Sequence, residues 1–163
     1  MGAEDLKIAL CVNHFWPSIG GAEHVVLKIA DYLSQFHEVS VITRRLKGSK
    51  RTTFHISIFE YTPGDWRLFS KHLEQSKPDA VFVYSDMFDF FQPIISNKNK
   101  FKLIVALCGA NWFYKHRRSV NIFARNLINV DKIILHSELG YDAKICSEHN
   151  LKHKITVIPN GVD

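Results

Sequence analysis

No run of apolar residues in this 163-residue chain approaches the roughly 18 that a membrane-spanning helix needs. Residues 1–5 also lack the basic stretch followed by a long apolar one that marks a secretory leader. Together these absences predict a cytoplasmic protein, either free or peripheral on the cytoplasmic membrane face. Cysteine is scarce: Cys11, Cys108 and Cys146 are odd in number and show no CxxC spacing, which argues against a disulfide framework and a zinc site. The histidines form no HExxH or other ligand pattern, so no bound metal is expected. Also missing are the GxGxxG dinucleotide fingerprint, the Lys-Ser/Thr of a P-loop, any internal repeat and any low-complexity segment.

What is present suits one compact domain, because 46% hydrophobic residues over this length supply a full core but not two. Lys plus Arg outnumber Asp plus Glu by 21 to 16, giving a formal charge of +5. That balance is compatible with phosphate-bearing ligands, an anionic membrane surface or nucleic acid, and alone it selects none of them.

Residues 6–13 (LKIALCVN) read as a buried strand, and Ala22, Val25, Val26, Ile29, Ala30 and Leu33 then recur on one helical face. The β-branched stretch 37–43 (HEVSVIT) follows closely enough for a right-handed crossover into a parallel sheet. Further strands are predicted over 54–59, 80–84, 102–108, 132–136 and 155–158, and helices over 65–76, 86–97 with a bend at Pro93, 116–129, and from a Ser137 cap to about residue 150. Strands apolar throughout and alternating with helices predict an α/β fold: a doubly wound, mostly parallel sheet with helices on both faces. In such sheets ligands bind beyond the carboxyl ends of the strands, which selects the loops 13–21, 85–86, 108–114 and 136–138.

Within the first of these, Gly20 and Gly21 stand immediately before the helix. A helix starting there exposes unpaired main-chain amides and a partial positive charge, a suitable seat for an anion, and adjacent glycines let a phosphate approach. The alternative is a strand-to-helix turn that needs glycine only for its geometry.

The stretch Pro17-Ser18-Ile19-Gly20-Gly21-Ala22-Glu23, the helix after it and His37-Glu38-Val39-Ser40-Val41-Ile42-Thr43 resemble the opening of group 1 (family 4) glycosyltransferases. The far end agrees: Asp131-Lys132-Ile133-Ile134, Ser137-Glu138 and the closing Lys154-Ile155-Thr156-Val157-Ile158-Pro159-Asn160-Gly161-Val162-Asp163 are similar to the end of that family's first domain. The resemblance covers nearly the whole chain. It implies residues 1–163 as the single Rossmann-like, acceptor-side domain of a two-domain GT-B enzyme, with the nucleotide-sugar-binding domain absent from this chain. It implies a retaining, metal-independent hexosyl transfer from a nucleotide-sugar, which is a substrate and no cofactor, to a glycan or lipid-linked acceptor, with the isolated chain inactive.

On that resemblance Gly20 and Gly21 face the donor diphosphate. Where the family often carries a histidine after the fifth strand, this chain has Cys108-Gly109-Ala110-Asn111-Trp112, so the catalytic contact is open between Cys108, Asn111 and His116. Cys108 reads first as a small strand-end residue, since the sequence assures it no neighbouring base. Acceptor contacts are placed at His14, Trp16, Glu23, Ser85, Gly109 and Trp112; Ser85 has the alternative of capping a helix, and His14 that of a solvated loop residue. Aromatic residues Trp16, Trp112, Phe113 and Tyr114 suit sugars or lipid headgroups as well as a core. The helix opening Lys115-His116-Arg117-Arg118, with Ile122, Phe123, Leu127 and Ile128, suits either an anionic membrane surface or the sheet. His136 reads as a satisfied histidine at the core's edge.

Two rival functions are weaker. A stand-alone, non-catalytic module or partner subunit that binds nucleotide or sugar would share the fold. An oxidoreductase domain lacks its glycine fingerprint, and Thr43-Arg44 ends the second strand where an acid is needed. Nucleic-acid binding has charge in its favour but no motif, so no nucleic-acid partner is expected.

Overall fold

A computed structural model describes residues 5–15, 20–45, 55–84, 93–108 and 117–159, with side chains in the last segment from Ile122 onward. The elements are β1 (Lys7–Val12), α1 (Gly21–Leu33), β2 (Glu38–Arg44), β3 (Ser57–Tyr61), α2 (Trp66–Ser76), β4 (Ala80–Tyr84), β5 (Lys102–Leu107), α3 (Arg117–Leu127), β6 (Lys132–Leu135), α4 (Tyr141–Glu148) and β7 (Ile155–Val157). The strands form one sheet in the order β3-β2-β1-β4-β5-β6-β7. Every neighbouring pair is parallel, from Ser40 opposite Ser57 at one side to Leu135 opposite Val157 at the other. Strand order reverses between β1 and β4, and that is where a doubly wound sheet opens a crevice.

Two cores explain the continuous apolar strands. Ala9 and Cys11 of β1 pack with Phe69, Leu73, Phe123 and Leu127 on one face, whereas Leu10 and Val12 pack with Phe15, Val26 and Ala30 on the other. Period-two alternation thus sends successive side chains into two apolar layers. Of the apolar residues on α3, Phe123 and Leu127 are fully buried against the sheet, while Ile122 and, just past the helix, Ile128 are exposed.

Local chemistry sets the helix ends. Asp65 caps α2 by accepting the Leu68 amide at 3.0 Å, and Lys77 closes it in the left-handed conformation just before Pro78. Two expectations need correction. The third strand lies at Ser57–Tyr61 rather than 54–59, because pairing with β2 and the edge-to-face packing of Tyr61 on Phe69, centroids 5.3 Å apart, set its register. Ser137 does not cap the last helix. Its hydroxyl accepts the Leu139 amide at 3.0 Å in a tight turn, and Gly140, at φ 119°, redirects the chain so that α4 starts at Tyr141. Of the helix predicted over 86–97, residues 93–96 are helical and 86–92 lie outside the described residues.

Candidate functional site at the carboxyl edge

Because all seven strands are parallel, their carboxyl ends share one edge, and the chain enters α1 from that edge. Gly20 is the N-cap of α1 and uses no side chain; its carbonyl accepts the His24 amide at 3.1 Å to begin the helical ladder. Its backbone is extended, at φ −157° and ψ 173°, a conformation open to any residue. Gly21 is helical and exposed, and a Cβ placed on it would meet nothing within 4 Å. Neither glycine is required by the local backbone. What Gly21 does is keep the front of the helix bare, where the first amides have no intrahelical partner.

Glu23 occupies the third helical position, and its carboxylate folds back over Gly20, into the space a side chain there would fill. An acid in the first turn complements the helix dipole. That placement makes Glu23 a neighbour of the glycine pair and sets a negative group where a phosphate would otherwise approach.

At the end of β1, the main-chain carbonyl of Asn13 accepts the Arg44 amide at 3.2 Å and the Thr43 hydroxyl at 3.4 Å, tying β1 to β2. The Asn13 side-chain Oδ1 is buried and has no hydrogen-bond partner among the described residues. His14 follows it, exposed, and Phe15 returns to the core. Arg45 lies beside β2, its amide donating to the Tyr61 carbonyl at 2.8 Å and its guanidinium 3.9 Å from Glu60.

Across the strand-order reversal, β4, β5 and β6 deliver a second group. Tyr84 ends β4 almost fully buried, Cys108 follows β5 exposed, and His136 follows β6 half-buried. The Cys108 Sγ lies 3.6 Å from His136 Nε2, and His136 Nδ1 lies 3.0 Å from the Ile158 carbonyl oxygen. A carbonyl only accepts, so Nδ1 is the donor in that contact, and Nε2 is the ring nitrogen that faces the thiol. Burial first, then the charge and hydrogen bond of the Cys108 sulfur, push the Tyr84 phenol well above its ordinary range, and it stays protonated as a donor. The Tyr84 and His136 rings stand 6.0 Å apart.

Sequence reasoning thus placed Gly20, Gly21, Glu23, His14 and Cys108 at one edge, and the structure puts all of them there. Trp16, Ser85, Gly109, Asn111, Trp112 and His116 lie outside the described residues, as do Phe113, Tyr114 and the final 160–163. Asn13 falls in a selected loop without being singled out, and Tyr84 is not singled out at all. His136 is satisfied at the core's edge as expected, through the Ile158 carbonyl, and its contact with Cys108 is what sequence reasoning did not foresee. The available signal was that each ends a strand of the predicted parallel sheet. Among the described residues no group of three or more His, Cys, Asp or Glu side chains could hold a metal ion, and no helix is long and apolar enough to cross a membrane.

A family model described as Glycosyltransferase Family 4 matches residues 19–163. Comparison with curated proteins finds no match. Among solved structures, the chain is similar to sucrose-phosphate synthase from Thermosynechococcus elongatus, with a TM-score of 0.72 and 13% identity over 96% of this chain and 48% of that one. It is also similar to HepE from Anabaena, solved with UDP and glucose, at a TM-score of 0.66 and 14% identity over 97% of this chain and 45% of that one. A glycosyltransferase from Rickettsia africae aligns with a TM-score of 0.61 and 16% identity over 99% of this chain and 44% of the other. The chain therefore spans less than half the length of each of these structures, and the likeness is one of fold.

Proposed function

Because the chain belongs to glycosyltransferase family 4, we propose that it is the acceptor-side lobe of a retaining, metal-independent transferase that moves a hexosyl group from a nucleotide-sugar to a glycan or lipid-linked acceptor. A second lobe, supplied beyond residue 163, grips most of the donor. The share of the solved neighbours that this chain spans supports the two-lobed reading, and the neighbour from Anabaena, solved with UDP and glucose, supports the donor class.

The observation that carries the proposal is the pair Gly20 and Gly21. Their backbones are ordinary, and neither adds a side chain at the start of α1: Gly21 is open, and the Glu23 carboxylate that folds over Gly20 is the group a diphosphate would displace. Departure of a nucleoside diphosphate puts negative charge on its phosphates, and fixed main-chain donors at a helix start stabilise that charge without reorganising. Glu23 then moves aside for the diphosphate, or turns to an acceptor hydroxyl. The acceptor lies along His14, Trp16, Glu23, Ser85, Gly109 and Trp112, with the polar contact to the reacting sugar drawn from Cys108, Asn111 or His116. No cofactor takes part. Synthesis of a glycan or polysaccharide on the cytoplasmic face, with Ile122 exposed on α3 and Ile128 exposed just past its end, fits a peripheral location.

Expressing the chain with its natural continuation and screening nucleotide-sugars for release of nucleoside diphosphate tests this reading. The expected result is release that depends on one sugar class and on acceptor, with none from residues 1–163 alone. Tight nucleotide binding without release would indicate a non-catalytic binding module, and co-flotation with anionic liposomes that survives high salt would separate apolar from purely electrostatic membrane contact.

A further inference from the structure

Three thiols in this chain sit in opposite environments. Cys11 is fully buried in β1 and its burial pushes the thiol far above its ordinary range. Cys146 is buried in α4, where desolvation first and the Asp142 charge second push it up to about 11. Cys108 is exposed at the carboxyl edge, with an oriented imidazole and a phenol against its sulfur.

From this arrangement we infer that Cys108 is a modification site, a thiol activated by His136 that reacts with soft electrophiles and with peroxides. Among the described residues, the titratable side chains that face the sulfur from the two neighbouring strands include Tyr84 on β4 and His136 after β6. His136 is the base: Nδ1 is tied up by the Ile158 carbonyl, leaving Nε2 to take the thiol proton, and the resulting thiolate and imidazolium stabilise one another. Tyr84, kept protonated by its surroundings, donates a hydrogen bond that favours the thiolate further. The neighbouring Ala106 carbonyl, 3.6 Å from the sulfur, accepts the thiol hydrogen in the resting state.

With hydrogen peroxide the thiolate sulfur attacks one oxygen, an S–O bond forms and the O–O bond breaks. The departing hydroxide takes the proton back from the imidazolium as water, so the sulfur is oxidised to a sulfenic acid while the peroxide is reduced. With iodoacetamide the sulfur attacks the methylene carbon and iodide leaves. Either adduct stands at the edge assigned to the donor and acceptor, so modification shuts that edge to ligand. The thiol chemistry itself does not depend on the transferase reading.

The test is labelling of the full chain with iodoacetamide, and separately with hydrogen peroxide followed by a sulfenic-acid trap, each cysteine being read by peptide mass spectrometry. Cys108 should react at least tenfold faster than Cys11 or Cys146, and its rate should persist below the roughly 8.5 at which an unassisted thiol ionises. His136→Gln should slow Cys108 about tenfold at neutral pH and return its pH profile to that of an ordinary thiol, while Cys11 and Cys146 stay unlabelled, which reports an intact fold. Should the variant unfold, the wild-type pH profile alone decides: a rate that tracks an unassisted thiol overturns the inference. A Cys108 rate unchanged in folded His136→Gln also overturns it.

Discussion

The two edges of this sheet are built from the same strands and behave in opposite ways. At the amino edge, polar groups of several strands pair within the fold. Asp79 accepts the Lys7 amide at 2.8 Å, while Asp131 accepts the Leu103 amide at 2.9 Å. Lys7 pairs with Glu38 at 3.0 Å, and the Lys154 ammonium donates to the Ile128 and Val130 carbonyls at 2.6 and 2.8 Å. At the carboxyl edge, by contrast, Gly21 is bare, Asn13 Oδ1 is buried without a partner among the described residues, and Cys108 faces a base. Carboxylates splice strands at the amino edge; at the carboxyl edge Gly21 and Cys108 stand exposed. Buried polar groups are paired in most folds, so a buried acceptor without a partner among the described residues, beside an exposed thiol, marks the carboxyl edge out from the amino edge.

Breaking the amino edge should cost stability alone. Asp131→Ala strips a charged acceptor from the Leu103 amide and should lower unfolding free energy by about 2 kcal/mol, read by chemical denaturation, with donor affinity of the remaining folded protein unchanged. Perturbing the carboxyl edge should do the reverse. Gly21→Ala meets no steric obstacle, so stability should hold or rise by about 0.5 kcal/mol. Its methyl stands before the helix amides, however, and nucleotide-sugar affinity in the protein with its continuation should fall about tenfold, or about 1.4 kcal/mol, by calorimetry. Glu23→Gln removes the acid that favours the helix start and should cost about 0.5 kcal/mol in thermal unfolding. The same change should tighten nucleoside diphosphate binding, since a competing negative charge is gone.

The smallest effect belongs to Lys7. Its hydrogen bond and attraction to Glu38 raise its pKa above the ordinary lysine value. Stability from that pair is fully present below the ordinary value and is lost as pH rises through the raised one. Both side chains are largely exposed, so the loss should be slight, vanish in high salt, and be absent in Glu38→Gln when unfolding is followed across alkaline pH.

Much of the fold was legible in the sequence because buried parallel strands announce themselves as apolar runs: β4 was read to the residue, and β1, β2 and β5 to within one at either end. The third strand was misplaced because its ends depend on Tyr61 reaching Phe69 and on pairing with β2, which no local window contains. The Ser137 cap failed because Gly140, a few residues on, turns the chain before the helix starts. At the site, the glycine pair and Glu23 were visible because they are neighbours in sequence. Cys108 and His136 are 28 residues apart and meet only because β5 lies beside β6, so the sequence showed each as a strand end and neither as a partner.

The central claim, that the carboxyl edge receives the donor's diphosphate, is tested most directly by amide hydrogen exchange of the protein with its natural continuation, with and without nucleoside diphosphate. Slower exchange should appear at the amides of residues 21–24 and leave those of Lys7 and Leu103 unchanged. Unaltered exchange at 21–24 under saturating nucleotide, or protection confined to the amino edge, would contradict it.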